Sequence, residues 1–89
     1  MPKIQFTGHL RRFMAVPEAE VEAPDLRTAL DRVFADHPRL RGYILDEQGV
    51  VRRHVAIYVN GQPIADRVRQ SDALRPGDDV YVLQALTGG

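Results

Sequence analysis

The sequence predicts an α+β domain: a mixed β-sheet with one main helix packed on one of its faces. Two kinds of periodicity and their order support this. Several short stretches alternate apolar and polar residues, the repeat of a half-buried strand, and one stretch places apolar residues three and four apart, the repeat of an amphipathic helix. The order is strand, strand, helix, strand, short strand, strand. A helix crossing one face of such a sheet, with the first and last strands adjacent in the middle, buries every apolar face and obeys the crossover rule. That arrangement is the β-grasp. Eighty-nine residues bury roughly two-thirds of the surface that the unfolded chain exposes, enough for one modest core.

Taken in order, Ile4-Gln5-Phe6-Thr7 alternates, with Ile4 and Phe6 toward the core and Lys3, Gln5 and Thr7 outward. A basic and apolar connection, His9-Leu10-Arg11-Arg12-Phe13-Met14, leads to a second alternating stretch over 18–23, with Ala19, Val21 and Ala23 inward. The two most simply form an antiparallel hairpin. Pro24-Asp25 stops the second strand, and Asp25 is placed to cap a helix over 25–36 whose apolar face is Leu26, Ala29, Leu30, Val33 and Phe34. Asp36-His37-Pro38 ends it, because proline clashes with a continuing helix.

Residues 39–49 carry no clear period. Leu40, Tyr43, Ile44 and Leu45 suit a short turn that plugs the core edge, before Asp46-Glu47-Gln48-Gly49 turns the chain. A long strand is expected over 50–59, with Val55, Ile57 and Val59 on one face and His54, Ala56 and Tyr58 on the other. Asn60-Gly61 makes a tight turn, since both residues tolerate positive φ. A short segment over 63–68 and one helical turn at Ser71-Asp72-Ala73-Leu74 follow. Pro76-Gly77-Asp78 then reverses the chain into the last strand, where Val80 and Val82 point in and Tyr81 and Leu83 point out.

Composition narrows the function. Twelve basic and twelve acidic residues cancel, which argues against a nucleic-acid partner, because no basic excess exists to displace counterions from phosphates. The absence of cysteine removes disulfides, thiolate nucleophiles and zinc-thiolate sites. No apolar run approaches the ~20 residues of a membrane span, and the start lacks a signal peptide's apolar region, so no membrane association and a cytoplasmic location are expected. His9, His37 and His54 lack metal-ligand spacing and are expected at the surface or core edge. Asp78-Asp79 reads as turn chemistry, and Arg52-Arg53 as a solvated strand face in preference to an anion site.

The last strand runs into Leu86-Thr87-Gly88-Gly89. Either this is a frayed end, or it is a device for reaching into another protein's active site. Gly88 and Gly89 have no Cβ, so they can thread a narrow channel and present a bare α-carboxylate. The pattern from Val59-Asn60-Gly61, through Leu74 and Gly77-Asp78, to an apolar strand and Gly88-Gly89 resembles the MoaD/ThiS family of ubiquitin-like sulfur carriers. Strand order extends the resemblance over essentially the whole chain. Pro38-Arg39-Leu40, Gly49, Arg52-Arg53 and Ile57-Tyr58-Val59-Asn60 look most like the subgroup that delivers sulfur for cysteine synthesis, although Ala56 stands where a polar residue is expected.

The resemblance implies a ubiquitin-like β-grasp domain over 1–85 and a flexible tail over 86–89. It implies a carrier, not an enzyme. An E1-like adenylyltransferase would use ATP and magnesium to adenylate Gly89, a sulfur donor would convert it to a thiocarboxylate, and a sulfur-accepting synthase for molybdopterin, thiamine, cysteine or a similar product would take the sulfur. No cofactor or metal is expected on this chain itself. Gly89 would carry the chemistry, with Leu86, Thr87 and Gly88 supplying reach. Independently of the family, Tyr58, Tyr81 and Leu83 fall together on the open sheet face, an expected partner surface unless residues 39–49 fold back over it. Two other functions fit the same residues: a modifier joined through Gly89 to target lysines, and a β-grasp interaction module with an inert tail.

Overall fold

The computed structural model describes residues 1–6 and 18–84. Five strands, β1 (Lys3–Phe6), β2 (Glu18–Glu20), β3 (Val55–Val59), β4 (Gln62–Pro63) and β5 (Asp79–Gln84), form one mixed sheet in the order β2-β1-β5-β3-β4. The first and last strands are parallel neighbours at its centre, with Ile4 opposite Val80 and Phe6 opposite Val82. The expected hairpin pairs Ile4 with Ala19 in antiparallel register. Helix α1 (Leu26–Asp36) buries the five apolar residues expected of it, and these join Ile4, Phe6, Val55, Ile57, Val80 and Val82 in one core. This is the predicted β-grasp, with the helices on one face and the other left open by the described residues.

Local chemistry accounts for the boundaries. Asp25 is the N-cap of α1, its Oδ1 accepting from the Thr28 amide at 2.8 Å. That bond and the Thr28 hydroxyl hold its carboxyl below the usual carboxylate range. Asn60 and Gly61 have φ of 52° and 82°, as the turn between β3 and β4 requires. The Asn60 side chain also ties this turn to the start of β5: Nδ2 donates to Asp78 and Oδ1 accepts from the Asp79 amide. Asp78 caps its own turn by accepting from the Arg75 amide, so its role is structural, as the turn reading expected.

Four expectations need correction. The 39–49 stretch is not a mere turn, because Pro38–Ile44 is a second helix, α2. Proline is tolerated at a helix start, where its missing N–H has no partner to lose, so Pro38 both follows one helix and opens the next. Leu40, Ile44 and Leu45 do plug the core, each at most 1% exposed, whereas Tyr43, expected with them, is 37% exposed. Secondly, the strand expected over 50–59 begins only at Val55. A continuous strand with Val55 and Ile57 inward would also point Arg53 into the core. The chain instead makes a turn closed by the Val55 amide on the Arg52 carbonyl, which leaves Arg53 in solvent while Val51 and Val55 are both buried. Arg52-Arg53 therefore lies on a turn and not on a strand face.

Thirdly, Ser71-Asp72-Ala73-Leu74 is extended rather than helical. Ala73 bridges Asp25, the Leu26 amide donates to the Asp72 carbonyl, and the Leu74 amide to the Pro24 carbonyl. The start of α1 thus takes the backbone groups that a helical turn would have used internally. Lastly, the second strand is Glu18–Glu20 rather than 18–23, although the Val21 amide still donates to Pro2 and Ala23 is buried.

Candidate functional site

Alternation along β5 decides what the sheet offers. Val80 and Val82 are fully buried, whereas Tyr81 and Leu83 are 38% and 37% exposed. The register places Tyr81 directly opposite Tyr58 on β3 and Leu83 opposite Ala56. Directly paired residues share a face, so Tyr58, Tyr81 and Leu83 do come together on the open face. One row crosses every strand: Glu18, Gln5, Tyr81, Tyr58 and Pro63. Its β2 end is polar, with Gln5 Nε2 donating to Glu18 at 3.1 Å. The result is a small apolar patch with a polar border, the pattern of a docking surface rather than of scattered exposed side chains. Residues 39–49 pack on the helical side, where Leu40, Ile44 and Leu45 are spent in the core and Tyr43 is 37% exposed.

The tail residues Leu86, Thr87, Gly88 and Gly89 lie outside the described residues, as do His9 and the boundary expected between 85 and 86. What the structure does establish is where β5 leads. Gln84 pairs with Val55, so β5 reaches its end beside the start of β3, next to the turn through Arg52, Arg53 and His54. An open cleft of about 470 Å³ lies there, lined by Asp46, Val51, Arg52, Arg53, His54 and Arg67. Sequence reasoning noted Arg52-Arg53 but missed Arg67. Only the fold brings Arg67 to that turn, where its Nη2 donates to the Arg52 and Val55 carbonyls at 2.7 and 2.8 Å.

The loop that carries Arg67 is organised by two aspartates. Asp72 accepts from the amides of Ala65 and Asp66. Asp66 accepts from the Ser71 hydroxyl and from the amides of Val68, Arg69 and Ser71. The Ser71 hydroxyl, followed by the Arg69 amide, lowers the Asp66 pKa to about 2, because each bond favours the ionised form. Gln70, fully buried, donates from Nε2 to the Gly49 and Arg67 carbonyls and so fastens this loop to the turn at Gly49. His37 sits between α1 and α2, and His54 is half-buried in the turn before β3. Among the described residues no three His, Cys, Asp or Glu side chains are grouped to hold a metal ion, and no helix is long and apolar enough to cross a membrane.

Comparison with known proteins agrees with this geometry. No curated protein matches the sequence at a significant level. Among solved structures, the chain is similar to the Amycolatopsis orientalis BexX/CysO complex (TM-score 0.86, 19% identity, 100% of both chains covered). It is also similar to small archaeal modifier protein 1 from Methanosarcina acetivorans (0.84, 19%, 99% of this chain and 95% of that one). Mycobacterium tuberculosis CysO matches as well (0.83, 20%, 97% of this chain and 100% of that one). At these identities the likeness establishes the shared β-grasp fold. The family model for the ThiS family matches residues 4–89, from β1 through the two terminal glycines. The chain therefore belongs to the ThiS family, among the ubiquitin-like MoaD/ThiS sulfur carriers.

Proposed function

We propose that this protein is a sulfur carrier that acts as a co-substrate of partner enzymes, with the α-carboxylate of Gly89 as its reactive group. The observation that carries the reading is the family match, which runs from β1 through Gly88-Gly89. A carboxylate with a pKa near ~3.5 is ionised at neutral pH and is a poor electrophile, so it needs activation. One Gly89 carboxylate oxygen attacks the α-phosphorus of ATP on an E1-like adenylyltransferase, magnesium assisting, and pyrophosphate leaves. A donor's nucleophilic sulfur then attacks the acyl carbon and AMP departs. With a persulfide donor, a second thiol attacks the donor-side sulfur of the resulting acyl disulfide, so that the donor leaves as a mixed disulfide with that thiol. A thiocarboxylate remains, whose sulfur goes to molybdopterin, thiamine, cysteine or a related product through an accepting synthase.

Within this reading the fold has two tasks. The patch at Tyr58, Tyr81 and Leu83 docks the activating enzyme, and Leu86, Thr87 and Gly88 give Gly89 its reach. That one structural neighbour was solved as a complex, BexX with CysO, supports looking for a protein partner. The test is ATP–pyrophosphate exchange with the cognate activating enzyme. Exchange is expected with the full chain and lost when Gly88 and Gly89 are deleted; equal exchange by both would overturn the proposal. A second reading, a modifier joined through Gly89 to lysines of other proteins, is favoured by the fold shared with an archaeal protein named a modifier. Isopeptide-linked conjugates in cell extracts would support it.

A further inference from the structure

The cleft beside the end of β5 has features that the proposed chemistry does not use. Arg52, Arg53, Arg67 and His54 line it against a single carboxylate, Asp46. That carboxylate is already engaged, its Oδ1 accepting from the Gln48 and Val50 amides. The whole chain balances twelve basic against twelve acidic residues, so the cleft is a local concentration of positive charge on a neutral protein. Two of its guanidiniums are positioned by backbone. Arg52 Nε donates to the Gly42 carbonyl at 2.8 Å, and Arg67 Nη2 donates to the carbonyls of Arg52 and Val55. A guanidinium has five N–H donors in a fork that matches carboxylate geometry. Those bonds engage one nitrogen of each, while Arg53 stands exposed on the same turn.

We propose that this cleft is a docking site for an acidic polypeptide segment of the protein that takes hold of the chain at the end of β5. The identity of that protein as the activating enzyme rests on the carrier reading. Position supports the assignment, because Val55 pairs with Gln84 and any partner gripping this end of the sheet passes over the 52–54 turn. Charge complementarity supplies the recognition. An acidic segment fits better than a small phosphate ligand. In an open, hydrated cleft each charge pair is weak, too weak to retain a small anion. A segment of a partner already bound on the neighbouring face brings several carboxylates without a second loss of translational freedom. The contribution is to orientation and association rate, and it falls with salt.

The experiment is an NMR titration of the full chain with hexaglutamate, with hexaglutamine and pyrophosphate as comparators, at low salt and then at physiological salt. The expected result is saturable amide shifts confined to 51–54 and 67–69 with hexaglutamate, weakened by salt and absent with hexaglutamine. Arg53→Glu should bind about fivefold more weakly, Arg53→Gln should fall between it and the parent, and Arg32→Glu on the exposed face of α1 should leave binding unchanged. Shifts scattered over the surface, equal weakening by Arg32→Glu, or tighter occupation of the same amides by pyrophosphate would overturn the proposal. No activating enzyme or sulfur source takes part, so this titration can fail while the carrier reading stands, and the reverse.

Discussion

The two faces of the sheet are built from alternate residues of the same strands, yet they obey different constraints. On β5, Val80 and Val82 are sealed under the helices while Tyr81 and Leu83 face solvent. On β3, Ile57 is inside and Tyr58, one position on, lies in the open row. The inner face owes its composition to burial, which is worth about 1.5–3 kcal/mol for each large apolar side chain. The outer face gains little of that, so its two tyrosines and a leucine are not accounted for by folding. Under the docking proposal, stability and recognition are separated by a single step along a strand.

Substitutions should expose that separation. On the inner face, Ile57→Ala leaves a cavity between β3 and the helices and is expected to lower stability by about 3 kcal/mol, read from urea unfolding. A loss below about 1 kcal/mol would mean that the core can collapse around the deletion. Smaller effects belong to the devices that hold the helices over that face. Asp25→Ala removes the cap of α1 and should cost about 1 kcal/mol in the same assay. A third effect depends on pH. Asp66 has its pKa lowered from 3.8 to about 2, and Asp25 and Asp78 are lowered too. A depressed carboxylate stabilises the fold above its unfolded-state value and loses that contribution as pH falls through the folded value. The urea midpoint should therefore fall between about pH 4 and 2, and Asp66→Asn should make that fall shallower. Smallest on stability is the outer face. Leu83→Glu should change the unfolding free energy by no more than about 0.5 kcal/mol, while ATP–pyrophosphate exchange with the activating enzyme drops. Unchanged exchange would remove Leu83 from the docking surface.

Legibility followed the same division between local and long-range causes. Helix α1, its Asp25 cap, the Asn60-Gly61 turn and the in-and-out alternation of β5 could be read directly, because each depends on neighbours within a few residues. The grouping of Tyr58, Tyr81 and Leu83 was readable too, since it needs only strand parity and adjacent strands. Helix α2 was missed as a helix because Pro38 reads as the stop of α1, although Leu40 and Ile44, four apart, carried the signal. The turn at 52–54 had a readable cue in Arg53, which sits at a position where strand parity demands an apolar residue. The 64–74 loop was only partly local: Asp66 and Asp72 gather amides within the loop itself, but its placement depends on Gln70 reaching Gly49 and on Arg67 reaching Arg52 and Val55. The basic cleft was illegible for the same reason, as Arg67 joins it across 15 residues of sequence.

The central claim is that the fold presents Gly89 as the atom-bearing end of a sulfur carrier. Intact and fragment mass spectrometry of the full chain, after incubation with the cognate activating enzyme, ATP, magnesium and a sulfur source, tests it most directly. The account predicts the mass gain of one oxygen-to-sulfur exchange, retained by the C-terminal fragment that contains Gly88 and Gly89. An unchanged mass with an enzyme proven active on its own carrier, or a gain located elsewhere in the chain, would contradict it.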